Sequence, residues 1–151
     1  MHSEIADMAP QGSAPSREAS ADESDRLVER WRELESVHAR VREALERALE
    51  REHQLSLSEY EVLRRLADTR EGKGRRIQEL ADEVHLSQSA LSRLVQRLEE
   101  DGLVTRAVCD HDRRGIWACI TEAGRKAQDE AHPTHRDAIA ETLGEPASLR
   151  R

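Results

Sequence analysis

The chain has 151 residues, 36% of them hydrophobic and 36% charged, with a net charge of −7. That length fits a single domain, and no apolar run approaches the roughly 18 residues that a membrane helix needs. The N-terminus lacks the basic-then-apolar order of a secretory signal, and two cysteines, Cys109 and Cys119, make no disulfide framework, so the cytoplasm is the expected location.

The apolar content is low for a self-sufficient globule, and a core shared between two chains would relieve the shortage. The acid excess is uneven. Residues 1–59 carry −6, residues 60–120 are neutral and residues 121–151 carry −1. Basic side chains in the middle segment can therefore still face a polyanion locally.

Residues 1–24 are rich in Ala, Ser, Pro, Gly and acids without hydrophobic periodicity, and a disordered N-terminal tail is expected. From Leu27 the pattern changes. Leu27, Trp31, Leu34, Val41, Leu45 and Ala48 recur at helical spacing, which predicts an amphipathic helix over 25–51. Part of that stripe serves a core. A narrow stripe on so charged a helix also suits pairing with a second copy of the chain.

Ser58-Glu59-Tyr60-Glu61 reads as a capping box, with Leu57 and Val62 as its hydrophobic staple, so a helix is expected from Glu59 to about Asp68. Residues 70–76 carry two glycines and four basic residues and read as a loop. A third helix is expected over Ile77 to Val84, and after the His85-Leu86 turn Ser87 caps a fourth. In that helix Leu91, Leu94, Val95 and Leu98 form an inward stripe at i, i+3, i+4 and i+7. Gly102 stands where a left-handed C-terminal residue is expected.

Leu103–Cys109 and Ile116–Thr121 read as two strands joined by the polar tip Asp110–Gly115. Thr121 then caps a final helix, which Pro133 kinks or restarts and which fades near Gly144, leaving 145–151 as a C-terminal tail.

The third and fourth helices, joined by a short turn, match a helix-turn-helix. A helix that approaches base edges needs small or hydrogen-bonding residues on its outer face, and Ser87, Gln88, Ser89, Ser92, Arg93 and Gln96 are all of that kind. Gln can make a bidentate contact to adenine and Arg to guanine, while Ser reaches a base or a phosphate. At the hairpin tip, Arg113 and Arg114 can enter a minor groove, whose negative potential attracts arginine. Asp112 beside them reads as an orienting partner for an arginine.

The chain resembles the MarR family of winged-helix transcription regulators. The resemblance rests on Glu79-Leu80-Ala81, the run Leu86–Val95, Leu98–Val104, Asp112-Arg113-Arg114 and Ile120–Gly124, and spans about Trp31 to Leu143. It implies a mainly α fold with a small β-hairpin wing. Residues 58–120 would be a winged helix-turn-helix within a 25–144 domain, with 25–51 and 121–144 as dimerisation helices.

The resemblance further implies a homodimer on double-stranded DNA, repressing at a palindromic operator until a small ligand relieves it. Ser87 to Arg97 would lie in the major groove and Arg113 and Arg114 in the minor groove, with Asp112 pinning the wing. Members usually have a long final helix that completes the dimer. Here the last element looks short, so the dimer rests on the Leu27–Ala48 helix and the Pro133–Leu143 segment, or it is weaker.

Trp31 and the Asp-Arg-Arg-Gly wing resemble the branch that responds to urate, related purines and phenolics, with Glu61 where that branch favours Asp. Trp31 and Glu61 are therefore candidates for a pocket taking a small aromatic or purine-like ligand. Cys109 and Cys119 read as inert strand residues, a redox switch being the alternative. His132 and His135 are three apart, which suits metal ligation if the helix runs through Pro133. Pro133 distorts that geometry and no cysteine or acid cluster is evident beside them, so no metal or cofactor is expected, a metal-responsive member of the family being the alternative. No glycine-rich phosphate loop, nucleophile elbow or metalloprotease pattern is present, and catalysis is not expected. A winged-helix module that binds protein rather than DNA is the competing reading.

Overall fold

The computed structural model describes residues 17–69, 73–109 and 112–144. Its elements in chain order are α1 (Arg17–His53), α2 (Leu57–Ala67), β1 (Arg75–Arg76), α3 (Ile77–Glu83), α4 (Gln88–Glu100), β2 (Val104–Cys109), β3 (Asp112–Ile120) and α5 (Glu122–Gly144). The chain divides into two units, residues 1–37 and 38–151.

In the first unit the helix begins at Arg17, so residues 17–24, expected as tail, are helical. After Pro15 and Ser16 the run Arg-Glu-Ala-Ser-Ala-Asp-Glu contains no Gly or Pro, and Arg26 pairs with Asp22 one turn back at 2.6 Å. Leu27, Trp31 and Leu34 are 58%, 59% and 63% exposed. The stripe read from the sequence thus splits by unit. Its continuation in the second unit is core: Leu45 is buried, and Val41 and Ala48 pack against buried residues.

The core of the second unit gathers Leu45 and Leu49 with the inward faces of α2, α3 and α4, together with Val104, Ala118, Ala131 and Ala138. The α4 stripe of Leu91, Leu94, Val95 and Leu98 is 0–4% exposed. Each such side chain contributes about 1.5–3 kcal/mol by leaving water.

The capping box stands two residues earlier than the sequence suggests. Ser56 is the N-cap of α2: its Oγ accepts from Glu59 N at 3.1 Å, and Glu59 Oε2 accepts from Ser56 N at 2.9 Å. Starting the helix at Leu57 buries that side chain, and Glu46 on α1 accepts its N–H at 3.0 Å. A box at Ser58 would leave Leu57 outside the helix.

Residues 75–76, expected in a loop, form an edge strand of a three-stranded antiparallel sheet ordered β1-β3-β2. Arg75 pairs with Ala118 and Arg76 with Trp117. A two-residue strand has no sequence period of its own; its partner is more than forty residues away. Gly74 permits the approach, because a Cβ there would lie 2.6 Å from Cys119 Sγ and 2.7 Å from Ala118 O. The Arg76 guanidinium lies 5.5 Å from the centroid of the Trp117 ring.

Gly102 ends α4 with φ +75°, as its position suggests. Thr121 ties the next helix to that turn: its Oγ1 donates to Gly102 O at 2.7 Å and accepts from Gly124 N at 3.0 Å. α5 is a single 23-residue helix through Pro133, neither restarted nor short. Proline supplies no N–H, but Ala131, His135 and Ala138 on either side of it are buried, and that packing holds the helix together.

Candidate nucleic-acid interface

α3 ends at Glu83, and the chain turns through His85, which takes a left-handed φ of +55°. Leu86 N then donates back to Ala81 O at 3.0 Å. Ser87 caps α4, its Oγ accepting from Ala90 N at 3.2 Å and lying 3.2 Å from Ser89 Oγ. Capping occupies part of this hydroxyl's hydrogen-bonding capacity.

Since the apolar stripe faces the core, the remaining side chains of α4 face out. Gln88, Ser89, Arg93, Gln96 and Arg97 are exposed, as is Ser87, and Ser92 is half-buried. Five of the six side chains expected to read bases are thus exposed and one, Ser92, is half-buried. Their engagement differs. Arg93 makes no ion pair among the described residues, whereas Arg97 Nη2 lies 3.5 Å from Glu59 Oε1. Gln96 donates to Glu100 at 3.1 Å.

The sheet flanks the C-terminal end of this helix. Arg106 on β2 reaches back to α4, its Nε and Nη2 each 2.7 Å from Glu99 Oε2. Its backbone N–H donates to Glu99 Oε1 at 3.2 Å. Sequence reasoning missed this pair, and only the opposite charges seven residues apart hint at it.

Asp112, Arg113 and Arg114 belong to β3, not to the connecting tip, because Asp112 already pairs with Cys109 across a register shift at Val108/Cys109. Their side chains, and residues 110–111 between the strands, lie outside the described residues. Cys119 pairs with Thr105, four residues from the end of β2 that holds Cys109. That spacing puts the two cysteines roughly 13 Å apart along the hairpin, too far for a disulfide within the chain.

Behind the helices, Glu61 lines a cleft of about 240 Å³ with His38, Arg42, Arg65, Glu83 and His85, floored by Val41, Leu45 and Leu57. All its lining residues belong to the second unit, so Glu61, but not the exposed Trp31 of the first, is placed in it. Arg65 bridges two acids, 3.3 Å from Glu61 and 3.4 Å from Glu83, and Glu83 also pairs with Arg75. His132 and His135 both turn to Tyr60. The His132 ring accepts from or donates to the tyrosine hydroxyl at 3.0 Å, and His135 stacks on the tyrosine ring. Burial lowers the His135 pKa from its usual 6.5, with Arg64 and His132 acting the same way and Glu61, 3.5 Å away, opposing.

Residues 53–115 match the profile of the MarR family. AbsC, a MarR family transcriptional regulator of Streptomyces coelicolor, is 32% identical over 79% of this chain and 81% of its own, with a TM-score of 0.69. The chain belongs to the MarR family. Its helices and three-stranded sheet are the winged-helix architecture of MarR-family structures, with β2 and β3 as the wing. Sco3205, a MarR-family regulator of the same organism solved in complex with DNA, is 29% identical over 83% of this chain and 77% of its own, with a TM-score of 0.72. YwhA of Bacillus subtilis, a regulator of the helix-turn-helix type, is 35% identical over 54 residues, and that match spans 36% of this chain and 39% of YwhA. Among the described residues no helix is long and apolar enough to cross a membrane.

Proposed function

We propose that this MarR-family chain is a sequence-specific regulator of transcription that binds double-stranded DNA as a cytoplasmic homodimer and represses from a palindromic operator. The observation that carries this reading is the outer face of α4. Ser87, Gln88, Ser89, Arg93 and Gln96 are exposed, with Ser92 half-buried, on a helix whose apolar stripe is committed to the core, and Arg93 stands among them without an ionic partner among the described residues. Such a face satisfies the donor and acceptor pattern of a major groove.

Each copy would set α4 in one groove, giving two half-sites about one helical turn, roughly 10 bp, apart. Arg113 and Arg114 on the wing strand would reach the flanking minor groove, with Asp112 orienting them. The exposed Leu27, Trp31 and Leu34 of the first unit, with α5, would supply the dimer contacts. The cleft at Glu61 would admit the relieving ligand. Its aliphatic floor of Val41, Leu45 and Leu57, ringed by Arg42, His38, His85 and the Arg65–Glu61 and Arg65–Glu83 ion pairs, suits a small aromatic or purine-like ligand.

Footprinting of the purified protein on the intergenic region upstream of its own gene tests this. Paired protections that weaken steeply with salt are expected, because arginines release counterions from phosphates. A failure to retard any duplex even at low salt would leave the family's fold serving a protein-binding role instead.

A further inference from the structure

A carboxylate in the last turn of α4 is out of place on two counts. The helix C-terminus carries partial negative charge, and Glu100 and the C-cap Asp101 already add to it; on the DNA-binding reading a further acid on this element also repels phosphates. Glu99 sits there nonetheless, half-buried, and its two oxygens are both used.

The geometry of its partner explains the placement. β2 is an edge strand of the sheet ordered β1-β3-β2. Alternate N–H groups on such an edge have no ladder partner. The N–H of Arg106 finds Glu99 Oε1 at 3.2 Å, while the side chain of the same residue folds back to put Nε and Nη2 at 2.7 Å from Oε2. One carboxylate thus receives three donors from one residue of the wing. A backbone contact and a planar guanidinium together fix direction as well as distance. The neighbouring Arg97–Glu59 pair, at 3.5 Å and on a largely exposed arginine, has no such constraint.

We propose that Glu99 is a positioning residue for DNA binding, holding the wing through Arg106 at a set angle to α4 so that both elements meet the duplex together. This rests on the DNA-binding reading. It carries a sign that electrostatics alone would reverse. Removing an acid near phosphates should tighten binding; removing a brace should weaken it.

The test uses the full-length protein, its Glu99→Ala and Glu99→Gln variants, and duplex from its own upstream region. Glu99→Ala should bind about tenfold more weakly, the size of one charge-assisted hydrogen bond. Protection should be lost first at the flanks where the wing lies and kept where α4 lies. Glu99→Gln retains an acceptor oxygen for the Arg106 N–H and should fall between wild type and alanine. In a double-mutant cycle Arg106→Ala should add little to Glu99→Ala.

Amide hydrogen exchange without DNA supplies the independent arm. The Arg106 amide should exchange faster in Glu99→Ala, and less so in Glu99→Gln, which keeps an acceptor, while the amides of α4 keep their protection. Equal or tighter binding by Glu99→Ala, or an unchanged Arg106 amide, overturns the proposal. A wild-type protein that binds no duplex defeats the DNA reading, and the exchange arm still decides whether Glu99 braces the wing.

Discussion

The His135 ring stacks on Tyr60, with centroids 4.6 Å apart and an interplanar angle of 28°. The stack places a titratable ring in the core between α2 and α5, where burial lowers its pKa from 6.5. The unfolded chain therefore takes up the proton first as pH falls. This contribution to stability is complete above about pH 6.5 and is lost as pH drops towards the folded-state pKa. Urea unfolding of wild type and His135→Gln across pH 7.5 to 5 should show a steeper loss for wild type. Parallel curves would remove His135 from the acid response.

Gly124→Ala should destabilise the protein by at least about 2 kcal/mol. A Cβ there would lie 2.1 Å from Leu103 O and 2.8 Å from Ile120 Cγ1, and the first of these is backbone that cannot rotate away. The same carbonyl accepts the Thr121 N–H at 3.0 Å, so relieving the clash also pulls at the start of α5. Denaturant midpoints measure it; a loss below 0.5 kcal/mol would mean that this junction is slack.

Arg93→Ala and Arg97→Ala should separate in operator affinity. Arg93 has no ionic partner among the described residues, and its loss should cost about 1–3 kcal/mol if it reads a base. Arg97 already shares Glu59, so its removal should cost less and chiefly reduce the salt slope by about one phosphate's worth. Titrations at two salt concentrations distinguish the pair, and equal losses would contradict the division.

Two caps offer a comparison within one fold. Ser87→Ala removes the acceptor for Ala90 N and should cost about 1 kcal/mol. Ser56→Ala breaks a reciprocal box and should cost at least as much by chemical denaturation. A Ser58→Ala variant with a larger effect than Ser56→Ala would move the helix start back to the position the sequence suggests.

Trp31→Glu should weaken self-association in sedimentation equilibrium, since it places a charge on the exposed Leu27, Trp31 and Leu34 face. An unchanged association constant would remove that face from the dimer.

Much of α4 was legible because its information is local. The spacing of Leu91, Leu94, Val95 and Leu98 selects the buried side, Ser87 marks the start, and what is left over is the polar face. The α2 cap was ambiguous for an equally local reason: Ser56-Leu57-Ser58-Glu59 and Ser58-Glu59-Tyr60-Glu61 both have the capping-box spacing. Burial of Leu57 and its bond to Glu46 choose between them.

The amino-acid sequence by itself determined the order of the helices, the helix-turn-helix and the family, because period, capping and turn chemistry act over a few residues. It did not determine where α1 and α2 begin or that α5 runs unbroken through Pro133. Only the tertiary structure decided what distant or unpatterned residues do. Arg75 and Arg76 become a strand because β3 lies alongside them, and His132 and His135 meet Tyr60 rather than each other's ligand. Glu99 acquires a role only because an edge strand turns its Arg106 N–H toward it. A hydrogen bond or a stack across elements depends on where two backbones come to rest, and no spacing along the chain encodes that directly.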